Sequence, residues 1–160
     1  MSRRNEVSAG ILAFRRRQKD GIELLLAHPG GPYWHNRDEG AWSIPKGLVE
    51  TNDLLACARR EFYEETGLAA AGPFMALTPL RQKSGKMVHA FACAADLNLA
   101  GFSSNSFEME WPPRSGRRAS FPEVDRIAYF RLAVARRKIL PGQRAFIEEL
   151  VRKLDDTAEA

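Results

Sequence analysis

Cysteine is scarce in this chain, with two residues in 160, which argues against a disulfide framework and fits a reducing compartment. Cys57 falls in a helical pattern and Cys93 in a strand pattern, so both read as buried thiols. Long apolar runs are missing too. No segment approaches the eighteen residues of a membrane helix, and the run before Arg15-Arg16-Arg17 is too short for a signal peptide. A cytoplasmic protein with no membrane partner is the expectation. Strong charge asymmetry is absent: 24 Lys and Arg face 20 Asp and Glu for a net charge of +4, an excess that suits phosphate-rich ligands without requiring nucleic acid. His28, His35 and His89 are too scattered for a zinc site. With no repeats or low-complexity tracts, 160 residues at 44% hydrophobic content make one domain, 1–160, with a frayed tail at 155–160.

What is present concentrates in residues 45–68, PKGLVETNDLLACARREFYEETGL. At 3.6 residues per turn, Glu61 lies one turn from both Glu64 and Glu65, so the three carboxylates share a helix face and repel unless a cation joins them. Leu55, Ala58 and Phe62 form the apolar stripe opposite. Asn52 or Asp53 can cap the start, and Gly67 suits a left-handed C-terminal residue. Mg²⁺ matches such a face, because it takes oxygen ligands and is usually held by one or two carboxylates plus substrate phosphates. The glycine turn before the helix can add a backbone carbonyl. Spacing alone also allows a plainer reading, an amphipathic surface helix with an Arg60–Glu64 pair worth about a few tenths of a kcal/mol.

Along the rest of the chain, Val7–Phe14 and Ile22–His28 read as a β-hairpin whose polar turn, 15–21, carries the three arginines and ends in Asp20-Gly21. Residues 29–40 form a loop with Tyr33, Trp34, His35 and Arg37, aromatics able to stack on a nucleobase or to pack over the core. Short strands are expected at 41–44, 74–82, 87–97, 106–111 and 127–131. In 106–111, Phe107, Met109 and Trp111 alternate with Glu108 and Glu110, giving one buried and one acidic face. Residues 114–118 read as a polar loop, 132–139 as a helix and 143–154 as a closing amphipathic helix. The order of elements is α+β.

The run Arg60-Glu61-Phe62-Tyr63-Glu64-Glu65-Thr66-Gly67-Leu68, with Gly47 upstream, resembles the box of the Nudix hydrolases. Two features depart from that pattern. Phe62 fills an aliphatic slot, and the Gly47–Arg60 interval is one residue short, with Asp53 the nearest stand-in for the missing first Glu. The resemblance implies a mixed β-sheet sandwiched between α-helices, an α/β/α sandwich. It also implies hydrolysis of a pyrophosphate bond in a nucleoside diphosphate linked to another moiety, with Mg²⁺ or Mn²⁺ as cofactor.

By that resemblance Glu61 and Glu65 are metal ligands, Glu64 is a further ligand and a catalytic candidate, the Gly47 carbonyl is a backbone ligand, and Arg60 orients the glutamates. The general base is either a helix glutamate or a loop acid near the end of the sheet. Glu123 is the first choice among loop acids, with Glu108 and Glu110 in reserve. Lys46 is the leading phosphate contact, with Arg81, Lys83 and Lys86 around one hairpin behind it. Trp42, Tyr33, Trp34 and Tyr129 are the candidates for recognising a base. Trp42-Ser43-Ile44-Pro45-Lys46-Gly47 is similar to the entry of Nudix enzymes acting on dinucleoside polyphosphates and diphosphoinositol phosphates, which puts a dinucleoside polyphosphate, or a nucleoside triphosphate, among the substrates. The alternatives are the 5′ end of RNA as substrate, or a noncatalytic nucleotide-binding module.

Overall fold

A computed structural model describes residues 6–17 and 21–159. β1 (Val7–Arg17) is the centre of a seven-stranded mixed sheet. It runs parallel to β6 (Met87–Ala94) along its length. Its other edge is split, since residues 14–17 pair antiparallel with β2 (Gly21–Pro29) and residues 8–10 with β3 (Lys46–Leu48). β4 (Met75–Ala76) and β5 (Leu80–Arg81) add to the far side of β6, and β9 (Val124–Arg131) closes the sheet beyond β2.

Period-two alternation decides which layer each residue joins. Ala9, Ile11, Ala13 and Leu25 point to one face and pack under α1 (Leu54–Thr66) with Ala58 and Phe62. Leu12, Phe14, Leu24 and Leu26 point to the other. They pack with Phe146, Ile147 and Leu150 of α3 (Arg144–Glu159), beside α2 (Leu132–Lys138). This is the expected sandwich of helices around a mixed sheet. Phe62, fully buried, keeps the apolar role of its slot. Cys57 and Cys93 are free and buried.

Several local expectations shift. Arg15, Arg16 and Arg17 are not in a turn but extend β1, opposite Glu23, Ile22 and Gly21. Glu23 explains this, because both Arg15 and Arg17 donate to its carboxylate, at 2.7 and 3.0 Å. Asp20 lies outside the described residues. The segment 41–44 makes only isolated bridges, Ser43 to Ala27 and Trp42 to Ile139, and the strand forms instead at Lys46–Leu48. Gly10 permits it, since a Cβ there would meet the Pro45 carbonyl. The stretch 74–82 breaks into β4 and β5 around Pro79. β7 (Ser106–Glu110) pairs with β8 (Arg118–Pro122), a strand hidden in the sequence by its Arg- and Ser-rich start, and the two form a hairpin apart from the main sheet. α3 continues through Glu159, five residues past the expected end at Leu154. No helix among the described residues is long and apolar enough to cross a membrane.

Candidate active site

Asp53 starts α1 by accepting the Ala56 N–H at 3.0 Å, and Gly67 ends it at φ +73°, donating to the Tyr63 carbonyl. With both ends fixed, Glu61, Glu64 and Glu65 hold set positions against β3. The Lys46 N–H donates to the Glu65 carboxylate at 3.1 Å. Gly47 is required beside it, because a Cβ there would overlap the Glu61 carboxylate. Arg60 lies 3.4 Å from Glu61 and 3.8 Å from Glu64, so a single guanidinium spans two of the three acids.

Burial dominates the electrostatics. Loss of water pushes the Glu65 carboxyl up to about 8, with Glu61 and Glu123 adding in the same direction against the Lys46 N–H bond and charge. Desolvation also raises Glu61, with the Glu64 charge behind it. Lys46 moves the other way, lowered by burial and then by Lys86 nearby. Charges held this poorly solvated are an expected feature of sites that bind or catalyse.

Glu123 reaches this helix through backbone. The Asn105 N–H donates to the Glu64 carbonyl at 2.9 Å, the Asn105 carbonyl accepts the Glu123 N–H at 2.8 Å, and Ser104 Oγ accepts the Val124 N–H at 3.0 Å. Glu123 in turn accepts the Gly30 N–H at 2.9 Å through its carbonyl. Although the residue is exposed overall, it lines a cavity, and partial desolvation raises its pKa. Glu65, Lys46 and Glu123 line one cavity of about 230 Å³ with Trp34, Ser43 and Leu140.

Behind that cavity sits a buried histidine. His28 Nδ1 lies 2.7 Å from Asp125 and Nε2 lies 2.6 Å from the Arg37 carbonyl, so one fully buried ring joins the 29–40 loop to the segment carrying Glu123.

The structure thus gathers Gly47, Arg60, Glu61, Glu64, Glu65, Lys46 and Glu123, and it separates other candidates from them. Trp42 is a core residue, 3% exposed, packed edge-on against His28 and Phe130 and donating its Nε1–H to Asp38. The neighbouring tryptophan that reaches the cavity is Trp34. Arg81 is exposed and donates to the Gly85 carbonyl on the edge of the sheet. Tyr33 is exposed on the loop but stays near the site, lining a second cavity that shares Pro29, Trp34 and Glu123 with the first. Tyr129 donates its hydroxyl to the Ala95 carbonyl and accepts the Leu97 N–H, tying strands together. Glu108 and Glu110 are on the solvent side of the hairpin, paired with Arg118 and with the Arg114 N–H. The link through Asn105 could not be read from sequence, since it uses only backbone atoms some forty residues from the helix.

Among the described residues, no three His, Cys, Asp or Glu side chains are gathered into a metal cluster. Arg60 draws on Glu61 and Glu64, and Glu65 is bonded to the turn. The donor chemistry nevertheless fits a hard divalent cation. The three carboxylates and the neighbouring Gly47 backbone form an all-oxygen set, and the missing Cβ at Gly47 leaves the Glu61 carboxylate against the main chain.

Comparison with known proteins accords with this geometry. The NUDIX domain family model matches residues 4–150. A C. elegans Ap4A hydrolase structure superposes with a TM-score of 0.63 at 17% identity, covering 93% of this chain and 98% of its own. The NUDIX domain of Shewanella oneidensis NrtR, complexed with ADP ribose, gives 0.63 at 14% identity over 92% and 87%. A Nudix hydrolase from M. Smegmatis, RenU, gives 0.55 at 20% identity over 94% and 85%. No curated protein matches the chain by sequence. Nudix enzymes generally use divalent metals, and with Glu61, Glu64 and Glu65 on α1 this chain belongs to the NUDIX family and is a Nudix-type pyrophosphohydrolase.

Proposed function

We propose that the chain hydrolyses a pyrophosphate bond in a nucleoside diphosphate linked to another moiety, with Mg²⁺ or Mn²⁺ bound by Glu61, Glu65, Glu64 and the Gly47 carbonyl. The observation that carries this reading is the half-buried Glu65, bonded to the Lys46 N–H and facing a cavity it shares with Lys46 and Glu123. A bound divalent ion neutralises phosphate oxygens and lowers the pKa of attacking water. The protein's own part is to place charge where the reaction needs it. Arg60 fixes the orientation of Glu61 and Glu64, and Lys46, a compact cation on the same wall, binds a phosphate oxygen. Glu123 accepts a proton from water as general base: it lines the same cavity as Glu65 and Lys46, and its raised proton affinity suits the role.

A dinucleoside polyphosphate is the favoured substrate. The Pro45-Lys46-Gly47 entry and the fold shared with the C. elegans Ap4A hydrolase both support it. The test is release of phosphate and nucleotide from diadenosine polyphosphates, nucleoside triphosphates, nucleotide sugars and triphosphorylated RNA, with Mg²⁺, Mn²⁺ or chelator. Cleavage that needs metal and is lost in Glu64→Gln supports the reading. Preference for triphosphorylated RNA, with steep salt dependence, would replace the small substrate, and turnover in chelator would sink the metal assignment.

A further inference from the structure

On its way to the site the chain crosses from β2 to β1 at Ile44. Ser43 exchanges both backbone hydrogen bonds with Ala27 of β2, and the Pro45 carbonyl accepts the Ile11 N–H of β1 at 3.2 Å. Between them the Ile44 N–H is taken by a side chain 99 residues away, with Gln143 Oε1 accepting it at 3.1 Å. Ile44 and Gln143 are each 1% exposed, so water does not compete. The amide closes a ring of hydrogen bonds. Gln143 Nε2 donates to Ser43 Oγ at 3.0 Å, Oγ gives its one proton to the Ile44 carbonyl at 2.8 Å, and the Ile44 N–H returns to Oε1. Gln143 is itself fixed from the backbone. Its N–H donates to the Leu140 carbonyl at 2.9 Å, and the Leu140 N–H donates to the Trp42 carbonyl at 2.7 Å.

We propose that Gln143 is a positioning residue for the turn that carries Lys46 and Gly47, a role that rests on the pyrophosphohydrolase reading and on Gly47, Glu61 and Glu65 as holders of the metal. Gln143 acts through Ile44 and touches none of these groups by a hydrogen bond. Two residues beyond Ile44, the Lys46 N–H is the backbone donor on the Glu65 carboxylate, at 3.1 Å. The next residue, Gly47, packs so closely on Glu61 that a Cβ would overlap its carboxylate. Pro45 links the two ends. Its ring fixes φ and it has no N–H of its own, so the orientation set at Ile44 passes on to Lys46. Ser43, Ile44, Lys46 and Glu65 line one cavity, so a shift of the hydrogen-bonded ring is a shift of the site wall. Without Oε1 the Ile44 N–H is buried and lacks an acceptor. The segment relieves that by moving, and it carries Lys46 and Gly47 away from the glutamates.

The test separates positioning from plain stability. Gln143→Met keeps the length of the side chain and removes its bonds to Ser43 and Ile44. The control is Ile147→Val or Leu150→Ala, fully buried positions on α3 outside the ring, whichever matches its loss of stability. Two readouts are taken per folded molecule: kcat at saturating substrate and metal, and calorimetric binding of Mn²⁺ in the absence of substrate. Relative to the control, Gln143→Met should lower kcat and weaken Mn²⁺ binding by about tenfold or more each, the scale for groups that orient metal ligands. Ser43→Ala keeps the Ile44 N–H on Oε1 and loses the other two bonds of the ring, so it should move both readouts the same way by less. Equal kcat and Mn²⁺ affinity in Gln143→Met and its control would overturn the assignment, because the amide would then serve stability alone. If Gln143→Met does not fold, wild-type values in Ser43→Ala overturn it instead. A wild type that cleaves no pyrophosphate substrate sinks the hydrolase reading and leaves Mn²⁺ affinity to decide the role of Gln143; one that also binds no Mn²⁺ overturns both.

Discussion

α1 and α3 are both amphipathic helices packed on opposite faces of one sheet, yet they treat their acids in opposite ways. On α3, Glu148 accepts two hydrogen bonds from Arg136, at 2.9 and 2.8 Å, and its carboxyl is held below the usual range. On α1, Glu61 and Glu65 are partly buried against a turn that gives them a backbone contact and one backbone bond, and both are raised. A carboxylate that stabilises a fold is given a partner within that fold. On α1 the partners, Arg60 at 3.4 Å from Glu61 and the Lys46 N–H on Glu65, do not offset burial, and the protein bears the cost of desolvation.

The largest expected effect lies on the α3 face, where nothing but packing is at stake. Phe146→Ala empties a fully buried position and should cost about 3–5 kcal/mol of stability, measured by denaturant unfolding. If the comparison holds, whatever folded protein remains keeps its KM. A large change in KM instead would mean that the two faces are coupled.

On α1 the pattern inverts. Glu65→Gln keeps the shape and the acceptor for the Lys46 N–H but removes the charge, so turnover should fall by about 10²-fold or more, the scale for loss of a charge-stabilising group in an active site. Metal-free stability near neutral pH should hold or rise, because folding no longer has to desolvate the Glu65 carboxyl and force a proton onto it. A thermal melt in chelator checks this, and a clear loss of stability would show that Glu65 serves the fold after all.

Two glycines sharpen the contrast. Gly47→Ala drives a methyl into the Glu61 carboxylate, whereas Gly142, in the turn before α3, has open space where its Cβ would be. The first should lower activity by about tenfold or more, since small displacements of catalytic groups are costly, with little loss of fold. The second should leave activity alone and change stability by about 1 kcal/mol or less. Equal activity losses in the two variants would remove the distinction between the faces.

The same contrast explains what could be read from sequence. The ends of α1 were legible because Asp53 and Gly67 act locally, and its acids because three and four residues make one turn. The α+β order was legible from the succession of strand and helix patterns, and the sandwich from the resemblance of residues 47–68 to the Nudix box. Trp34 and Trp42 could not be told apart, since only the loop's path decides that one lines the cavity and the other packs on His28. β8 escaped because Arg118 and Ser120 take its exposed face directly after a polar loop, which leaves only Ala119 and Phe121 to mark the other face. Glu123 was reachable as a loop acid before the last strand, but its tether to α1 runs through the backbone of Asn105, where side-chain identity carries no signal.

The smallest effect tests the α3 side of the comparison by pH. Arg136 lowers Glu148 from its ordinary value of 4.5, so the folded protein binds that proton less readily than the unfolded chain. Stability from the pair is therefore present above pH 4.5 and lost as pH falls through the lowered folded value. Both side chains are about two-fifths exposed, at 41% and 44%, and solvent screening keeps the contribution to about 0–1 kcal/mol. Arg136→Leu should thus reduce stability slightly at pH 7, and the gap to wild type should close as the pH is lowered below the Glu148 transition. Unfolding curves at several pH values measure it. A gap that persisted at acid pH would show that Arg136 acts by packing its stem against its neighbours rather than by pairing with Glu148.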